Sequence, residues 1–309
     1  MNLQQFQYIV AVQEYGSFTK AADACEVTQS TLSSMIGKLE EELDTVIFDR
    51  RSHPVAPTGA GAKVLSQAKV ILYNIGQLQE MTRSERESRT GRIDFGIIPT
   101  VAPYLLPGIV RFLQKNHPGV KLHAVEMRTQ FLVEKLRRAE LDMALMATPT
   151  GEKDLLEIPL YYEKFIAYVS PAETREYALG EIESGNMSSS HLWLLQEGHC
   201  LRNQVVRMCG SRSAYSSVYE AGSIDTLVRI VDTVGGYTII PELHVPCLTE
   251  EQRKNLRPLV RPEADREISL VIRSDYVREG LLNVLADAVK SVVPAPMLDA
   301  GLKKFAIRI

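Results

Sequence analysis

Gly16-Ser17-Phe18-Thr19-Lys20-Ala21-Ala22, then after four residues Val27-Thr28-Gln29-Ser30-Thr31-Leu32-Ser33-Ser34-Met35-Ile36-Gly37-Lys38-Leu39, decides the N-terminal fold. Ser17 is a helix N-cap residue type and predicts a short helix starting at Phe18. Ala21, Ala22 and Ala24 keep that helix thin enough for a neighbour to pack closely. Thr28 caps a third helix, expected to run to about Leu43, whose Leu32, Ile36, Leu39 and Leu43 recur at helical spacing. The opposite face offers Gln29, Ser30, Thr31, Ser33 and Ser34, short side chains with the donors and acceptors that reading base edges requires. Two short helices across a tight turn, the second polar at its start, form the helix-turn-helix pattern.

Before this pair, Leu3, Phe6, Ile9 and Val10 mark a helix over residues 3–14 that Gly16-Ser17 ends. After it, Val46–Thr58 carries Arg50, Arg51, Pro54 and Pro57 and reads as a β-wing contacting phosphates, with Lys38 adding local positive charge. The bland alternative is a helical bundle with a serine-rich surface. Residues 58–87 lack proline and predict one long helix. Its Val64, Ala68, Ile71, Ile75 and Leu78 alternate in steps of four and three, a seam suited to a partner helix in a homodimer. The charged stretch Arg83–Gly91 reads as a hinge.

The chain has 309 residues, 45% of them hydrophobic and 24% charged, as expected of a globular protein with two or more domains. A net charge of −3 means that nucleic-acid binding must rest on local charge. The N-terminus has no basic segment leading into an apolar one, so no signal peptide is expected. No run of about 18 apolar residues suggests a membrane span. Four cysteines are too few for a disulfide scaffold, and the expected location is the cytoplasm. No phosphate-binding glycine loop or zinc-ligand spacing appears, and no cofactor or metal is expected.

From Arg92 the pattern alternates strand and helix: strands at Ile93–Ile98, Lys121–Met127 and Met143–Ala147, with helices at Tyr104–Lys115 and Gln130–Arg138 between them. Thr100 and Thr129 follow strand ends, where open α/β sheets bind ligands. Thr129 can equally cap its helix. A second α/β unit begins near Tyr162 with a strand at Phe165–Ser170 and includes Thr226–Val234 and Tyr237–Ile240. A strand at Glu267–Ile272 and a helix at Val277–Val292 close the chain's pattern.

Inside the second unit lies Gly198-His199-Cys200-Leu201-Arg202-Asn203-Gln204-Val205-Val206-Arg207-Met208-Cys209. If Leu201–Met208 is helical, the two cysteines sit roughly 13 Å apart on opposite faces. A disulfide needs Cα atoms within roughly 7 Å, so bond and helix exclude each other. His199 and Arg202 flank Cys200 and would favour its thiolate. Both cysteines being inert small hydrophobes is the alternative. Cys25 and Cys247 read as packing residues.

Gly16–Ala22, Val27–Ser33, Leu39-Glu40-Glu41-Glu42-Leu43, Ile47-Phe48-Asp49-Arg50 and Thr58-Gly59-Ala60-Gly61 together resemble the LysR-type transcriptional regulators. Departures are Cys25 and Thr31 for a usual Leu and Ala, Asp44 for a usual Gly, and Val55-Ala56-Pro57 before Thr58. The resemblance covers the whole chain and implies an α/β protein with an N-terminal winged helix-turn-helix (1–58), a linker helix and hinge (59–90) and a two-lobed effector domain like periplasmic binding proteins (91–309). Lobe I would hold about 91–161 and 267–309, and lobe II about 162–266. The Gly198–Cys209 stretch resembles the peroxide sensors of that family, which usually have Asp where this chain has Asn203. That resemblance implies Cys200 as the peroxide-reacting thiol, Cys209 as its disulfide partner, and Thr100, Thr129, His199 and Arg266 as pocket residues, beside Arg202. It also implies DNA contacts by Thr28, Gln29, Ser30, Thr31, Ser33, Ser34, Lys38, Arg50 and Arg51. The partners implied are promoter DNA, hydrogen peroxide as signal, RNA polymerase and further copies of the chain in a homotetramer, with no membrane. The rival readings are a regulator sensing a metabolite between the lobes and a thiol peroxidase.

Overall fold

The computed structural model describes residues 1–80, 89–173, 181–183, 191–208, 221–260, 265–298 and 301. The chain divides into two compact units, one built from Met1–Ser84 and Arg137–Glu140 and one from Glu85–Leu136 and Leu141–Ile309.

The first unit starts with α1 (Leu3–Tyr15), closed at its N-terminus by a capping box between Asn2 and Gln5. α1 ends at Gly16, whose φ of +60° is left-handed, and a Cβ there would lie 2.9 Å from Pro54 Cβ. Ser17 caps α2 (Phe18–Ala24) and Thr28 caps α3 (Gln29–Glu42), as their side chains predict. Asp44 adopts a φ of +48°, which explains why glycine suits this position and why Asp, tolerant of the left-handed region, can replace it. Phe6, Ile9, Val12, Ala21, Ala22, Leu32, Ile36, Leu39 and Phe48 make the core.

The wing is shorter than the expected Val46–Thr58: β1 (Phe48–Asp49) pairs antiparallel with β2 (Ala56–Pro57). Thr58 donates to Val46 O at 2.7 Å and accepts from Gly61 N at 2.8 Å, opening α4 (Gly59–Glu80). A Cβ at Gly61 would lie 1.9 Å from Ile47 O, so only glycine fits. The α4 seam also serves this unit's own core. Ala68 is buried in it, and Val64 and Ile71 pack against it while keeping part of their surface exposed. Leu78 is exposed. Residues 81–87 of the expected helix and most of the Arg83–Gly91 hinge lie outside the described residues.

The second unit is an eight-stranded mixed sheet. β3 (Gly91–Ile97), α5 (Ala102–Asn116), β4 (Val120–Glu126), α6 (Thr129–Arg137) and β5 (Met143–Thr148) follow in order, with β3 parallel to both β4 and β5. β6 (Leu155–Val169), β7 (Ile182–Glu183), α7 (Cys200–Met208), α8 (Ile224–Val234), β8 (Tyr237–Pro241), a 3₁₀ turn (Glu242–Cys247), α9 (Glu250–Arg253), β9 (Leu256–Val260), β10 (Asp265–Arg273) and α10 (Glu279–Val292) complete it. The strand order is β4-β3-β5-β10-β6-β9-β7, with β8 pairing β6. β6 is one strand of 15 residues, and the lobe boundary expected at 162 falls inside it. Its first part pairs with β10, and residues from Phe165 on pair with β8 and β9. Leu201 and Val205 anchor α7 in a core shared with Leu194, Leu195, Val228 and Ile239.

Candidate functional site

The helix expected after Gly198 is present, and Cys200 is its first residue. Gly198 has φ +90°, and a Cβ there would come 3.0 Å from Arg128 Cδ. Arg128, just past β4, donates to Glu197 O at 2.9 Å and to Gln196 Oε1 at 2.6 Å, pinning the segment that leads into α7. Alternation along α7 buries Cys200, Leu201, Gln204 and Val205 and leaves Asn203 exposed. Asn203 therefore points away from the buried thiol.

β6 and β10 bring the charged groups together. Glu163 and Arg266 are register partners, and both are fully buried. Arg266 donates through Nε and Nη2 to Glu163 Oε2 at 2.8 and 2.7 Å. Two of its other three N–H groups reach Thr100, with Nη1 on Oγ1 at 2.9 Å and Nη2 on the carbonyl at 3.0 Å. Glu163 Oε1 accepts the Leu243 backbone N–H at 2.9 Å. Thr100 Oγ1 thus accepts from Arg266 and keeps its own proton for another acceptor.

Burial pushes the Cys200 thiol up from its ordinary value. The nearby Arg266 charge, the Thr129 hydroxyl and the backbone N–H groups of Cys200 and Leu201 at the helix start pull it back. Thr129 Oγ1 is buried with no regular hydrogen bond, although it lies close enough to the sulfur to favour the thiolate. Gln204, one helical turn beyond Cys200, buries an amide whose oxygen and nitrogen are both unpartnered.

Burial, with Arg128 second, lowers the His199 pKa from its ordinary value, which favours the neutral imidazole beside the thiol. Arg202 donates to Leu195 O at 2.7 Å, fastening the preceding loop. The cation that favours the thiolate is Arg266, 66 positions away in sequence. Cys209 lies outside the described residues. Cys247, read as a packing residue, is exposed, while Cys25 is half-buried against the first unit's core.

On the first unit, Thr28, Gln29, Ser30, Thr31, Ser34 and Lys38 are exposed along one side of α3. Thr28 Oγ1 is shared with Ser30 Oγ and Thr31 Oγ1 at 3.0 and 2.8 Å, so that N-cap hydroxyl is already engaged. Ser33 is half-buried and accepts from Arg50 Nη1 at 3.3 Å. Arg50 also pairs with Glu40 at 2.9 Å and lies 5.2 Å above the Phe18 ring. It therefore ties the wing to α2 and α3 while its side chain stays exposed. Glu40, within the family-like Leu39–Leu43 stretch, is a wing anchor: its Oε1 accepts Ile47 N at 2.7 Å and Phe48 N at 3.3 Å.

These geometries separate the roles of the two wing arginines. Arg51 is exposed, and Arg51→Ala should flatten the salt dependence of DNA binding by up to about one unit of slope, equally for specific and random DNA. Arg50→Ala should instead loosen the wing and lower the melting temperature of the first unit's transition. Titrations at several salt concentrations, paired with thermal melts, check both outcomes.

Comparison with known proteins matches both units. Residues 3–62 fit the family "Bacterial regulatory helix-turn-helix protein, lysR family", and residues 86–294 fit the "LysR substrate binding domain". A hydrogen peroxide-inducible genes activator from Haemophilus influenzae is 36% identical over 303 residues, covering 95% of this chain and 99% of that one. The DNA-binding transcriptional dual regulator OxyR of Escherichia coli is 32% identical over 293 residues, covering 94% and 95%. Among solved structures, a full-length OxyR variant from Pseudomonas aeruginosa superposes with a TM-score of 0.78 at 31% identity, over 94% of this chain and 98% of that one. Two domain matches in the family's order, with full-length relatives above 30% identity, show that this chain belongs to the LysR family of bacterial transcription regulators, among its OxyR-like members.

Proposed function

We propose that hydrogen peroxide oxidises Cys200 and that the oxidised thiol condenses with Cys209, switching a promoter-bound regulator. The observation that carries this reading is the position of Cys200, buried at the first turn of α7 and electrostatically coupled to Arg266 and the Thr129 hydroxyl. The thiolate attacks one peroxide oxygen, the O–O bond breaks, and hydroxide leaves to become water with a proton from the pocket. The product is a sulfenic acid. A second thiolate then attacks that sulfur, forming the disulfide and releasing the oxygen as water. Thr100, with its proton free to donate, and Thr129 bind the peroxide oxygens, and neutral His199 relays the proton.

The nine residues of α7 explain why the bond must move structure. A rise of about 1.5 Å per residue places the Cα atoms of Cys200 and Met208 about 12 Å apart, beyond the roughly 7 Å a disulfide allows. Closure onto the residue after Met208 therefore unwinds α7 and withdraws Leu201 and Val205 from their core. Amide hydrogen exchange across Leu201–Met208 should rise on oxidation and fall again with a thiol reductant. Unchanged exchange with the disulfide confirmed would mean that the moving part is elsewhere. Mass spectrometry for a Cys200–Cys209 disulfide after substoichiometric peroxide tests the reading itself.

The regulator reads promoter DNA through Gln29, Ser30, Thr31 and Ser34, with Lys38 and Arg51 on phosphates, and it works in the cytoplasm with RNA polymerase. Its copies associate as a dimer through the distal part of the linker helix, where Ile75 and Leu78 lie, and pair further into a tetramer. Support for peroxide over a metabolite signal comes from relatives named for peroxide induction and from the buried thiol. A peroxide-bound OxyR variant from Corynebacterium glutamicum, 28% identical with a TM-score of 0.60 over the whole of this chain and 97% of that one, adds to it.

A further inference from the structure

We infer that Glu163 is the positioning residue of the peroxide site: it fixes the Arg266 guanidinium so that its Thr100-facing edge meets the peroxide at Cys200. The inference rests on the proposed role of Cys200. Three observations support it. First, Glu163 Oε2 takes both Nε and Nη2 of Arg266, at 2.8 and 2.7 Å, so the guanidinium can neither rotate about its own axis nor slide along the strand. Second, Glu163 Oε1 is committed to the Leu243 N–H at 2.9 Å. With both oxygens engaged, Glu163 has little capacity to bind peroxide itself, which separates its role from that of Thr100 and Thr129. Third, the neighbouring Tyr161, on the same face of β6 and fully buried, leaves its hydroxyl without a partner rather than competing for Glu163.

The arrangement divides the arginine. One edge is spent on Glu163, and the other is presented through Thr100 Oγ1 and O. A buried charge without its counter-charge would swing toward whatever carbonyl or water it could reach. Glu163 prevents this and holds the guanidinium still before peroxide arrives, which is where oriented dipoles and charges are worth most. A carboxylate is needed because a carboxamide oxygen carries no charge to hold a fully desolvated guanidinium in place. The Leu243 N–H is needed because it fixes the carboxylate in turn.

The test compares the full-length chain with Glu163→Gln, Glu163→Asp and Cys200→Ser, following Cys200 by peptide mass spectrometry. Each protein is treated separately with hydrogen peroxide and with iodoacetamide at a pH where the thiol is ionised. Peroxide attack needs an oriented Arg266, whereas alkylation needs only an ionised and accessible sulfur. Glu163→Gln should lower the peroxide rate constant at least about tenfold while leaving alkylation within about twofold of wild type. Glu163→Asp, which keeps the charge but shortens its reach, should fall between. Peroxide and alkylation rates that change by the same factor, or a peroxide rate that does not change, would overturn the assignment and leave Glu163 a structural partner. Should Glu163→Gln fail to fold, the same split read in Glu163→Asp decides the matter. Cys200→Ser separates the two claims: if it consumes peroxide like wild type, the sensing-thiol reading has failed. If it is inert while Glu163→Gln is unaffected, only the positioning role has.

Discussion

Cys200→Ser should abolish peroxide-induced disulfide formation and leave the protein locked in its reduced conformation, a loss of at least about a thousandfold in oxidation rate. The substitution exchanges sulfur for oxygen at the first turn of α7 and removes the one thiol coupled to Arg266 among the described residues. It changes volume little, so Leu201 and Val205 should keep the helix docked. Cys25→Ser and Cys247→Ser should keep the wild-type rate. Burial raises both thiols, and neither has an arginine pulling it down. For Cys247, the Asp225 carboxylate raises it further. Stopped-flow measurement of peroxide consumption by each variant checks this, and wild-type consumption by Cys200→Ser would show that another thiol senses peroxide.

Arg266→Ala should be the most destabilising single change at the site, by about 3–5 kcal/mol at neutral pH, because it strands the Glu163 carboxylate in a dry interior. The sign of its pH dependence follows from that carboxyl. Burial already raises Glu163 above its ordinary value of 4.5, and Arg266 is the first group pulling it back. Without Arg266 the folded value rises further, and the folded state prefers the protonated carboxyl. Stability relative to wild type is therefore retained below about pH 4.5 and lost as pH climbs through the raised folded value. Urea unfolding at pH 5 and pH 8 should show the larger deficit at pH 8. An equal deficit at both would mean that the cost is lost packing rather than a stranded charge.

What the sequence reveals divides by range. Ser17 and Thr28 are legible as caps because a cap is a bond between residues three apart. The α7 helix is legible for the same local reason. Glu40 and Glu163 are not: one anchors backbone seven and eight positions on, the other an arginine 103 positions away, and neither pattern stands out from surface charge. The neighbours of Cys200 carry environment that sequence does not show: burial lowers the His199 pKa, and Arg202 also holds the Leu195 carbonyl. The seam on α4 shows a further limit. Its spacing reports an apolar face, and Ala68 shows that part of that face is taken up by the helix's own domain, which spacing alone does not reveal.

β6 and β10 bear on how the oxidation signal travels. Nine residue pairs, Arg273 with Leu155 through Asp265 with Lys164, tie them in one ladder, interrupted by a single irregularity at Ile268/Ser269. Opening the domain like a clamshell would tear rungs from that ladder, each worth about 1 kcal/mol net. A twisted ribbon yields far more readily to torsion about its length than to shear between its strands. Glu163 and Arg266 are mounted on that ribbon, close to its irregularity, so the groups that surround Cys200 are carried by the same ladder that resists opening.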